Sequence, residues 1–465
     1  MFPPNFISRT KALLPDEYNL LEAALDASPP VSIRMNPRKP CILSDLHRKT
    51  PCDEKVPWCK TGYYLPERPS FTFDPLFHAG AYYVQEASSM FLEQAIARIR
   101  EEGDLFPDPV TALDLCAAPG GKSTHLQTLL PEGSLLVSNE TVRSRSRSLS
   151  ENMIKWGLPC QIITNNDPKD LGKLTSMFDI ILADLPCSGE GMFRKDRAGR
   201  DEWSAEKVKL CAARQRRIVY DVWDTLKPGG WLIYSTCTFN TEENEENVYK
   251  LSGELGADVI SIPVKPEWNT VGALQHGLPA YRFFPHRTRG EGFFLALMRK
   301  NRDSKDGVKI KCKDSRQPAI IPAEVKGMLS EPEKFVFFTR ETTGSVFAVP
   351  EGLEDSYRLL SGQLHPVSAG VTLGEYKGRD FIPSISLALS TEINPGAFPS
   401  AELPDDRAIK YLQKETTVLP EDTPKGYILI TCRHLPLGFV KNIGNRTNNL
   451  YPQEWRIRSR KNPWL

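Results

Sequence analysis

The feature that most constrains the fold of this chain is a series of short apolar segments that alternate with amphipathic helical patterns. Five of these segments end in small, acidic or cysteine residues: TALDLCA, SLLVSNE, CQIITNN, FDIILADL and GGWLIYSTC. Strands that alternate with helices form a parallel sheet with helices on both faces, and such a sheet binds ligands at its carboxyl edge. We therefore predict an α/β fold with a doubly wound, Rossmann-like sheet. The later run FFLALMRK (293–300) is predicted to close one edge of this sheet.

A smaller α/β unit is predicted before the sheet. Apolar positions recur at helical spacing over 13–25, and the proline-punctuated segment VSIRMNPRK indicates a strand. In that strand Ile33 and Met35 alternate with polar residues, which puts Arg34 and Asn36 on the other face. The segment YYVQEASSMFLEQAIARI again has the apolar recurrence of a helix.

Composition divides the chain further. The stretch NRDSKDGVKIKCKDSRQP is polar and charged, as linkers are, and GYILITC and LPLGFVKN indicate a β-rich module near the carboxyl end. The predicted parts are an amino-terminal α/β unit, the sheet domain, a linker, an intermediate domain and a carboxyl-terminal module, in that order: 1–105, 106–300, 301–317, 318–398 and 399–465.

The charge balance restricts where a nucleic acid could bind. Lys+Arg number 59 and Asp+Glu 58, so the net charge is +1 and any nucleic-acid surface has to be regional. The carboxyl-terminal tail from Arg433 onward holds seven basic residues and one acid, Glu454, and Tyr451, Trp455 and Trp464 interleave with them. Its basic residues are Arg433, Lys441, Arg446, Arg456, Arg458, Arg460 and Lys461. The pattern favours nucleic-acid binding, with a solvated basic end and ordinary aromatic residues as the alternative.

Cysteine usage and hydropathy indicate the compartment. The ten cysteines include no CxxC pair, so their spacing predicts neither a disulfide framework nor a zinc site. An intracellular, reduced protein without a metal follows. The amino terminus lacks a signal-peptide core, and no window approaches the apolar run of about 20 residues that a membrane span needs. We predict a cytoplasmic protein that does not cross a membrane.

A glycine loop, DLCAAPGGKST at 114–124, follows the first strand of the sheet and opens a helical pattern. A Walker A loop requires glycine where Cys116 stands, and the dinucleotide fingerprint requires glycine where Ala118 stands. ATP and NAD are therefore disfavoured. Gly120 and Gly121 let the backbone approach a ligand, and the helix N–H groups behind them can receive a carboxylate. S-adenosylmethionine carries such a carboxylate.

Two acids at later strand ends support this ligand. Glu140 stands where an acid can bond ribose hydroxyls, and Asp167 could accept from an adenine amino group. For either acid alone, a helix cap or a surface carboxylate is the favoured interpretation, but together with the loop they predict a cofactor site. The run RSRSRS at 143–148 lies inside a helical pattern and is interpreted as a solvated face, not a phosphorylated repeat.

Two cysteines are predicted at the same edge. Asp184-Leu-Pro-Cys187 ends the fourth strand, and Ser235-Thr-Cys237 ends the fifth. A thiolate that adds to carbon 6 of a pyrimidine makes carbon 5 nucleophilic enough to attack a sulfonium methyl group. Asp184 could hydrogen-bond or protonate the ring during addition. The residues alone leave open which cysteine attacks. An amine-directed methyltransferase would show an Asp/Asn-Pro-Pro-aromatic segment instead of DLPCSG.

These motifs together resemble the RNA cytosine carbon-5 methyltransferases of the Nop/Sun family. The similar segments are LDLCAAPGGKST, NE at 139–140, FDIILADLPCSGEGMFRKD, LKPGGWLIYSTCTFNTEENE and PHRTRGEGFF. More narrowly, GEGMFRKD, GLPAYRFFPHRTRGEGFF and PLGFVKNIGNRTNNLYPQEWR resemble the bacterial RsmF group, which modifies small-subunit ribosomal RNA. The resemblance covers nearly the whole chain, including VSIRMNPRK and YYVQEASSM.

The resemblance implies a class I methyltransferase sheet, S-adenosylmethionine as cofactor and a PUA-like RNA-binding module at the carboxyl end, with the amino-terminal unit helping to hold RNA. It implies Cys237 as the nucleophile and Cys187 as the second cysteine, which assists release of methylated RNA. The implied cofactor residues are Cys116, Ala117, Ala118, Pro119, Gly120, Gly121, Lys122, Glu140, Asp167 and Asp184. Lys122 is also implied near the base.

Three helix residues can be compared with the family as well. Arg145 and Asn152 match recurrent positions. Lys155 stands where the family commonly has arginine, and this departure is expected to affect surface contacts only.

The function predicted from the sequence is S-adenosylmethionine-dependent methylation of cytosine carbon 5 in RNA, with 16S rRNA as the expected substrate. The base has to leave any stack to meet Cys237. The alternatives are the same catalysis on tRNA, or an RNA-binding ribosome assembly factor without catalysis. The predicted partner is RNA or the small ribosomal subunit, with no metal or membrane, and a monomer is expected.

Overall fold

The computed structural model describes residues 2–41, 54–102, 108–303, 318–340 and 343–459. Cys52, Cys312, most of the predicted linker, the predicted boundary at 105, and the tail residues Arg460, Lys461 and Trp464 lie outside the described residues. The helices are α1 (Pro4–Leu13), α2 (Tyr18–Asp26), α3 (Pro75–Ala79), α4 (Leu92–Arg100), α5 (Gly121–Leu129), α6 (Arg143–Trp156), α7 (Pro168–Leu171), α8 (Arg197–Asp201), α9 (Ala205–Val222), α10 (Glu245–Leu255), α11 (Ala323–Lys326), α12 (Glu354–Gln363), α13 (Ile385–Leu389) and α14 (Asp405–Leu412).

The strands are β1 (Val31–Met35), β2 (Gly62–Leu65), β3 (Tyr82–Val84), β4 (Thr111–Asp114), β5 (Leu135–Asn139), β6 (Gln161–Thr164), β7 (Phe178–Asp184), β8 (Leu226–Thr236), β9 (Ala257–Ile260), β10 (Val271–Gly272), β11 (Ala280–Phe283), β12 (Phe293–Lys300), β13 (Phe335–Thr339), β14 (Ser345–Pro350), β15 (Pro366–Ala369), β16 (Val371–Lys377), β17 (Asp380–Pro383), β18 (Ser400–Glu402), β19 (Gly426–Cys432), β20 (Leu435–Asn442) and β21 (Thr447–Asn449).

The amino-terminal unit is built on a three-stranded antiparallel sheet in the order β2-β1-β3. The helix predicted over 13–25 is wrong at its start. The chain turns after α1 and α2 begins at Tyr18, because Pro15 disfavours helical backbone at Leu14. The helix predicted from Tyr82 is also wrong at its start. Tyr82–Val84 pair with β1, and the Glu86 carboxylate then accepts from the N–H groups of Ser88 and Ser89, where a new helical turn begins.

The predicted strand VSIRM is confirmed, but its polar face is covered. Arg34 and Asn36 are fully buried because the sheet domain packs on that side. The Arg34 guanidinium donates to Thr124 Oγ1 at 2.6 Å and lies 4.4 Å from the Trp156 ring. Asn36 Nδ2 donates to the carbonyl oxygens of Gly80 and Trp156 at 2.9 and 3.0 Å. Polar side chains of the first unit therefore serve as its contacts with the second.

The central sheet has the strand order β10-β11-β12-β8-β7-β4-β5-β6-β15, with β9 paired to β12. Strands β4, β5, β6, β7 and β8 are parallel, which confirms the Rossmann-like α/β fold. The FFLALMRK segment pairs antiparallel with β8, but it does not close the edge, since β11 pairs with its other side. Apolar cores lie on both faces of the sheet.

A strand from outside the predicted sheet domain completes the other edge. β15 (Pro366–Ala369) pairs antiparallel with β6, although it follows the linker in sequence. The rest of that region forms a four-stranded antiparallel sheet in the order β13-β14-β16-β17, and Phe338, Phe347 and Tyr357 join the core of the central sheet. The region 318–398 therefore packs directly against the central sheet.

The carboxyl-terminal module is a four-stranded sheet in the order β18-β19-β20-β21, with β18 parallel to β19. Tyr451 is fully buried in its core, and Trp455 is half-buried against the same core. The expectation that Tyr451 belongs to an exposed aromatic surface is therefore wrong, because its ring fills the space beside Tyr411. Arg446, Arg456 and Arg458 are exposed.

Lys155 also departs from its expected role at the surface. Its side chain is buried, donates to Glu151 at 2.6 Å, and lies over the rings of Phe77 and Trp455 at 5.4 and 5.5 Å. These rings come from the amino-terminal unit and the carboxyl-terminal module, so Lys155 stands where three parts of the chain meet.

Among the described residues, no helix combines the length and apolar character that a membrane crossing requires.

Gly80 provides a test of this junction. It ends α3 with φ +74°, and a Cβ there would overlap the carbonyl oxygen of Lys155. We expect Gly80→Ala to lower the free energy of unfolding by about 3 kcal/mol, because left-handed strain adds to steric overlap with backbone. Gly378 has φ +65° with no neighbouring atom within 4 Å of that position, so Gly378→Ala should cost only about 1 kcal/mol. Urea denaturation of both variants measures the difference, and equal losses would contradict the tight junction.

Candidate active site

The carboxyl ends of the parallel strands bring most of the predicted site residues together. Asp184, the last residue of β7, pairs in register with Ser235 of β8. Asp114, the last residue of β4, pairs with Ser138 of β5. The residues that follow each strand therefore emerge at one level, as in other doubly wound sheets.

The glycine loop between β4 and α5 is held from behind by main-chain and side-chain bonds. Ala117 N donates to Asn139 O at 2.8 Å. Arg145 Nη2 donates to Ala118 O, and Asn152 Nδ2 donates to Pro119 O, both at 2.8 Å. The two helix residues that match the family thus fix the carbonyl groups of the loop. This leaves the N–H groups at the start of α5 available to an anion.

The first turn of α5 is anchored on its buried side. Ser123 Oγ donates to Asp114 Oδ2 at 2.7 Å, and Thr124 receives the bond from Arg34. Burial raises the pKa of Asp114 to about 7, although the Ser123 hydroxyl acts in the opposite direction. Gly120 has φ +112°, and a Cβ on Gly121 would stand 3.1 Å from the Tyr83 ring. Larger residues would therefore disturb the approach to this loop.

The two predicted cofactor acids have different surroundings. Glu140 is buried just after β5, and its carboxylate accepts from Val142 N at 2.9 Å and lies 3.3 Å from Arg145 Nη1. Asp167 is exposed three residues beyond β6, where its Oδ1 accepts from Lys169 N at 3.0 Å as the cap of α7. The helix-cap interpretation therefore accounts for one oxygen of Asp167, and Glu140 has a similar local contact with the N–H group that precedes α6.

The edge fits S-adenosylmethionine by the chemistry of its donors and acceptors. A loop without side chains at Gly120 and Gly121 precedes exposed helix N–H groups, and a buried carboxylate, Glu140, follows the neighbouring strand. These groups match the carboxylate and the ribose hydroxyls of that molecule.

Lys122 and Asp184 form an ion pair beside the loop. Lys122 Nζ donates to Asp184 Oδ2 at 2.8 Å, and Ser235 Oγ donates to Asp184 Oδ1 at 2.8 Å. Burial acts to lower the pKa of Lys122, but the Asp184 carboxylate and Cys237 more than offset it, so this pKa is raised. Lys122 therefore carries a proton at neutral pH, next to a carboxylate that is one-third exposed.

The two predicted cysteines meet at this edge. Cys187 Sγ lies 3.1 Å from Cys237 Sγ, and both side chains are half-buried. This separation exceeds the disulfide bond length of about 2.05 Å, so both are free thiols. The hydrogen bond to Cys237 and burial raise the pKa of Cys187 well above its usual value. Cys187 thus keeps its proton at neutral pH, in hydrogen-bond contact with the sulfur of Cys237.

A buried polar network that the sequence interpretation missed fixes both cysteine loops. Glu243 accepts from Ser188 N at 3.0 Å, from Asn240 Nδ2 at 2.8 Å and from Gln215 Nε2 at 2.7 Å. Glu190 accepts from the N–H groups of Phe239 and Asn240 at 2.8 and 2.9 Å. Each acid therefore bridges the segment after Cys187 to the segment after Cys237.

The network could have been recognised only in part. Acids in GEGMF and TEENE look like solvated turn residues, yet Glu190 and Glu243 are buried. Burial raises the pKa of Glu243 to about 7, and its hydrogen bonds to Ser188 and Asn240 limit the rise. Glycines flank Glu190 in the sequence, and an asparagine follows Glu243. These neighbours could have indicated tight, hydrogen-bonded loops.

Comparison with known families identifies the class of protein. Residues 106–299 match the model of the 16S rRNA methyltransferase RsmB/F family. Residues 2–87 match the amino-terminal domain of 16S rRNA methyltransferase RsmF, and residues 398–457 match the RsmF methyltransferase PUA domain. The fold and the cofactor edge are those of an S-adenosylmethionine-dependent methyltransferase with a carboxyl-terminal PUA domain.

Whole-chain relatives narrow the assignment. The ribosomal RNA small subunit methyltransferase F of Aliivibrio fischeri strain MJ11 is 30% identical, with 97% of each chain covered. The protein of the same name from Escherichia coli O9:H4 strain HS is also 30% identical over 97% of this chain and 96% of its own. The chain belongs to the ribosomal RNA small subunit methyltransferase F, or RsmF, family.

Solved structures support the fold. A methyltransferase homolog protein from Pyrococcus horikoshii is similar with a TM-score of 0.53 and 28% identity, over 64% of this chain and 95% of that one. NSun6 from Pyrococcus horikoshii, crystallised with SFG, has a TM-score of 0.54 and 21% identity over 65% and 99% of the two chains. The second likeness concerns the fold alone.

The asymmetry of the cysteine pair can be tested by alkylation. Because the pKa of Cys187 is raised well above its usual value, we expect iodoacetamide at neutral pH to modify Cys237 faster than Cys187. Peptide mass spectrometry after short exposures measures both rates. Buried Cys211, whose pKa is raised by burial, provides a slow internal reference. Faster labelling of Cys187 than of Cys237 would contradict the proton placement.

Proposed function

We propose that this protein methylates cytosine at carbon 5 in 16S ribosomal RNA, through a covalent bond between Cys237 Sγ and carbon 6 of the base. The observation that carries the proposal is the 3.1 Å pair of thiols, Cys187 and Cys237, beside the Lys122–Asp184 ion pair and the cofactor loop. An amino or hydroxyl acceptor would need a base and positioning but no thiol. A pair of thiols at the reacting edge is the chemistry that a pyrimidine carbon requires.

The cofactor supplies an electrophilic methyl group on its sulfonium. The N–H groups at the start of α5 would hold its carboxylate, and Glu140 would accept from its ribose hydroxyls. Asp167 uses one oxygen to cap α7, so the other can accept from the adenine amino group. Residues 116–122 form the wall of this site, with Arg145 and Asn152 bracing it from behind.

Addition begins at Cys237. The Cys237 thiol gives its proton to solvent at the half-buried edge, its thiolate forms a carbon–sulfur bond at carbon 6, and the π electrons of the 5,6 double bond move to carbon 5. Carbon 5 would then bond the methyl group, and the electrons of the broken bond would stay on the cofactor's sulfur. Lys122 and Asp184 lie beside this edge, where Lys122 Nζ donates to Asp184 Oδ2 at 2.8 Å. They are placed to hydrogen-bond the ring and neutralise the charge that it gains.

Release reverses the addition. After carbon 5 has gained the methyl group, its proton passes to solvent at the half-buried edge, and the returning electrons restore the double bond and expel Cys237 as a thiolate. Cys187 keeps its proton and lies in hydrogen-bond contact with the departing sulfur. It therefore stabilises the leaving group, which is the role expected of the second cysteine.

The RNA substrate is supported by regions outside the sheet. The RsmF relatives are named for the small ribosomal subunit, and the chain carries the PUA domain of that family. Arg446, Arg456 and Arg458 are exposed on this module, and a groove between the amino-terminal unit and the loop 285–290 contains Arg68 and Arg289. Phosphate contacts from these residues would position RNA without selecting a sequence.

The covalent step has a direct test. Incubation of the Cys187→Ala variant with 16S rRNA and S-adenosylmethionine should accumulate a protein–RNA adduct that survives denaturation, because release is slowed. The double variant Cys187→Ala/Cys237→Ala should form none, and Cys211→Ala in the wild-type background serves as a control that leaves turnover intact. Gel electrophoresis under denaturing conditions measures the adduct. Its absence from the single variant, with cofactor still bound, would rule out Cys237 addition.

Substrate choice needs a separate comparison. Methyl transfer from labelled S-adenosylmethionine is measured on free 16S rRNA, on small ribosomal subunits and on tRNA. Incorporation into 16S rRNA or the subunit supports the proposal. Labelling of tRNA alone would indicate that tRNA is the substrate of the same reaction. Binding of RNA without any labelling would favour an assembly factor.

The cofactor site predicts a loss of affinity from a single change. Glu140→Gln removes the charge that would accept from two ribose hydroxyls, so we expect the Kd for S-adenosylmethionine to rise about 10-fold or more, as for loss of a charge-assisted hydrogen bond. Isothermal titration calorimetry measures it. Glu242→Gln is a matched control, since Glu242 contacts Arg9 away from the loop. Equal affinities for the wild type and Glu140→Gln would exclude this contact.

A further inference from the structure

A second cluster of reactive side chains lies behind the cofactor helix, away from the two active-site cysteines. Cys59, Glu93 and His125 come from three separate segments, and all three are buried. One ligand atom from each lies within 4.8 Å of the other two. Cys59 precedes β2, Glu93 is on α4, and His125 is on α5. The cluster therefore joins the amino-terminal unit to the helix that begins at the glycine loop.

The distances within the cluster fit a shared ion, and the contact between Cys59 and His125 also has the length of a sulfur hydrogen bond. His125 Nε2 lies 3.6 Å from Glu93 Oε2 and 3.8 Å from Cys59 Sγ. A nitrogen–oxygen hydrogen bond would be about 2.9 Å long. Around a tetrahedral zinc ion with bonds of about 2.0 to 2.3 Å, neighbouring ligand atoms stand about 3.4 to 3.6 Å apart. Small shifts would therefore let all three atoms meet one ion.

The ring contacts of His125 are long, with Cys59 Sγ at 3.8 Å from Nε2 and Glu93 Oε2 at 3.6 Å. Its Nδ1 is buried without a hydrogen-bond partner among the described residues, and the Nε2 contact with Glu93 exceeds hydrogen-bond length. A metal ion bound at Nε2 would leave Nδ1 carrying the ring proton, with no partner among the described residues. Glu93 is better held, because both its oxygens accept from Lys60 N at 3.2 Å.

Ligand type and charge point to one class of metal. A thiolate, an imidazole and a carboxylate form the nitrogen, sulfur and oxygen set that zinc prefers. The thiolate and the carboxylate together neutralise the charge of a divalent cation. A water molecule can supply the fourth ligand, and Thr61 Oγ1, 3.9 Å from Cys59 Sγ, is near enough to orient it.

We propose that Cys59, Glu93 and His125 bind a structural zinc ion, which fastens the amino-terminal unit to α5 behind the cofactor loop. The spacing of these residues, 34 and then 32 positions apart, matches no zinc motif, which is why the sequence predicted no metal. The site is separate from the methyl-transfer edge, so its test does not depend on activity.

The experiment uses the full chain, purified without chelator and incubated with zinc, then dialysed. Elemental analysis should find about one zinc ion per chain, and a strong chelator should lower the melting temperature by several degrees. Cobalt substitution should produce the thiolate-to-cobalt absorption of a sulfur ligand. The proposal would be overturned if folded wild-type protein, after incubation with zinc, held no metal and showed no cobalt–thiolate band.

Variants assign the ligands. Cys59→Ser, Glu93→Gln and His125→Gln should each lower metal content, and Cys59→Ser should abolish the cobalt–thiolate band. Cys211→Ser, which changes another buried cysteine, should leave both unchanged. Retention of the full metal content and the band by Cys59→Ser would also overturn the assignment. If a ligand variant fails to fold, the wild-type metal content and cobalt spectrum still decide.

Discussion

The register between β7 and β8 is the constraint on which the active edge depends. Asp184 pairs with Ser235, so the two strands end together, and the cysteines that follow after three and two residues meet across 3.1 Å. A shift by one residue in either strand would turn the strand-end side chains to the opposite face. Glu190 and Glu243 then hold the two loops to each other. Glu190, on the loop after Cys187, accepts from the N–H groups of Phe239 and Asn240, and Glu243, on the loop after Cys237, accepts from Ser188 N.

The neighbouring units keep this edge in place from behind. Arg34 carries a buried charge from the amino-terminal sheet to the first turn of α5, where it contacts Thr124 and the carbonyl oxygen of Gly121. Burial lowers the pKa of Arg34 to about 10, which still leaves it protonated at neutral pH. On the far side, Lys155 joins α6 to aromatic rings of two other units. The cofactor loop is thus the shared boundary of several parts of the chain.

Much of the sheet could be predicted because each strand ends in a recognisable residue. The glycine loop, Glu140, Asp184 and both cysteines stand directly after apolar runs, and periodicity locates such runs well. The strand pairing at the edge of the sheet could not be predicted from the sequence. Nothing in Pro366–Ala369 indicates that it pairs with β6 more than 200 residues earlier, since strand partners are chosen by packing and not by local pattern. Helix starts at Tyr18 and Leu92 were missed for a local reason, namely the turn residues Pro15 and Glu86.

The sequence by itself determined the class of fold, the cofactor loop and the two thiols at one edge. Short stretches of sequence are enough to show the periodicity of a strand and the reactive residues that follow it. Only the tertiary structure decided which polar side chains are buried. Arg34, Lys155, Glu190 and Glu243 look like solvent-facing residues in the chain, yet all four are buried. Arg34, Glu190 and Glu243 bond groups from distant segments, and Lys155 lies over the rings of Phe77 and Trp455. Cys59, Glu93 and His125 converge for the same reason. A buried polar group needs a hydrogen-bond partner, and that partner is set by which segments meet in the folded protein. The spacing of residues in the sequence does not show which segments meet.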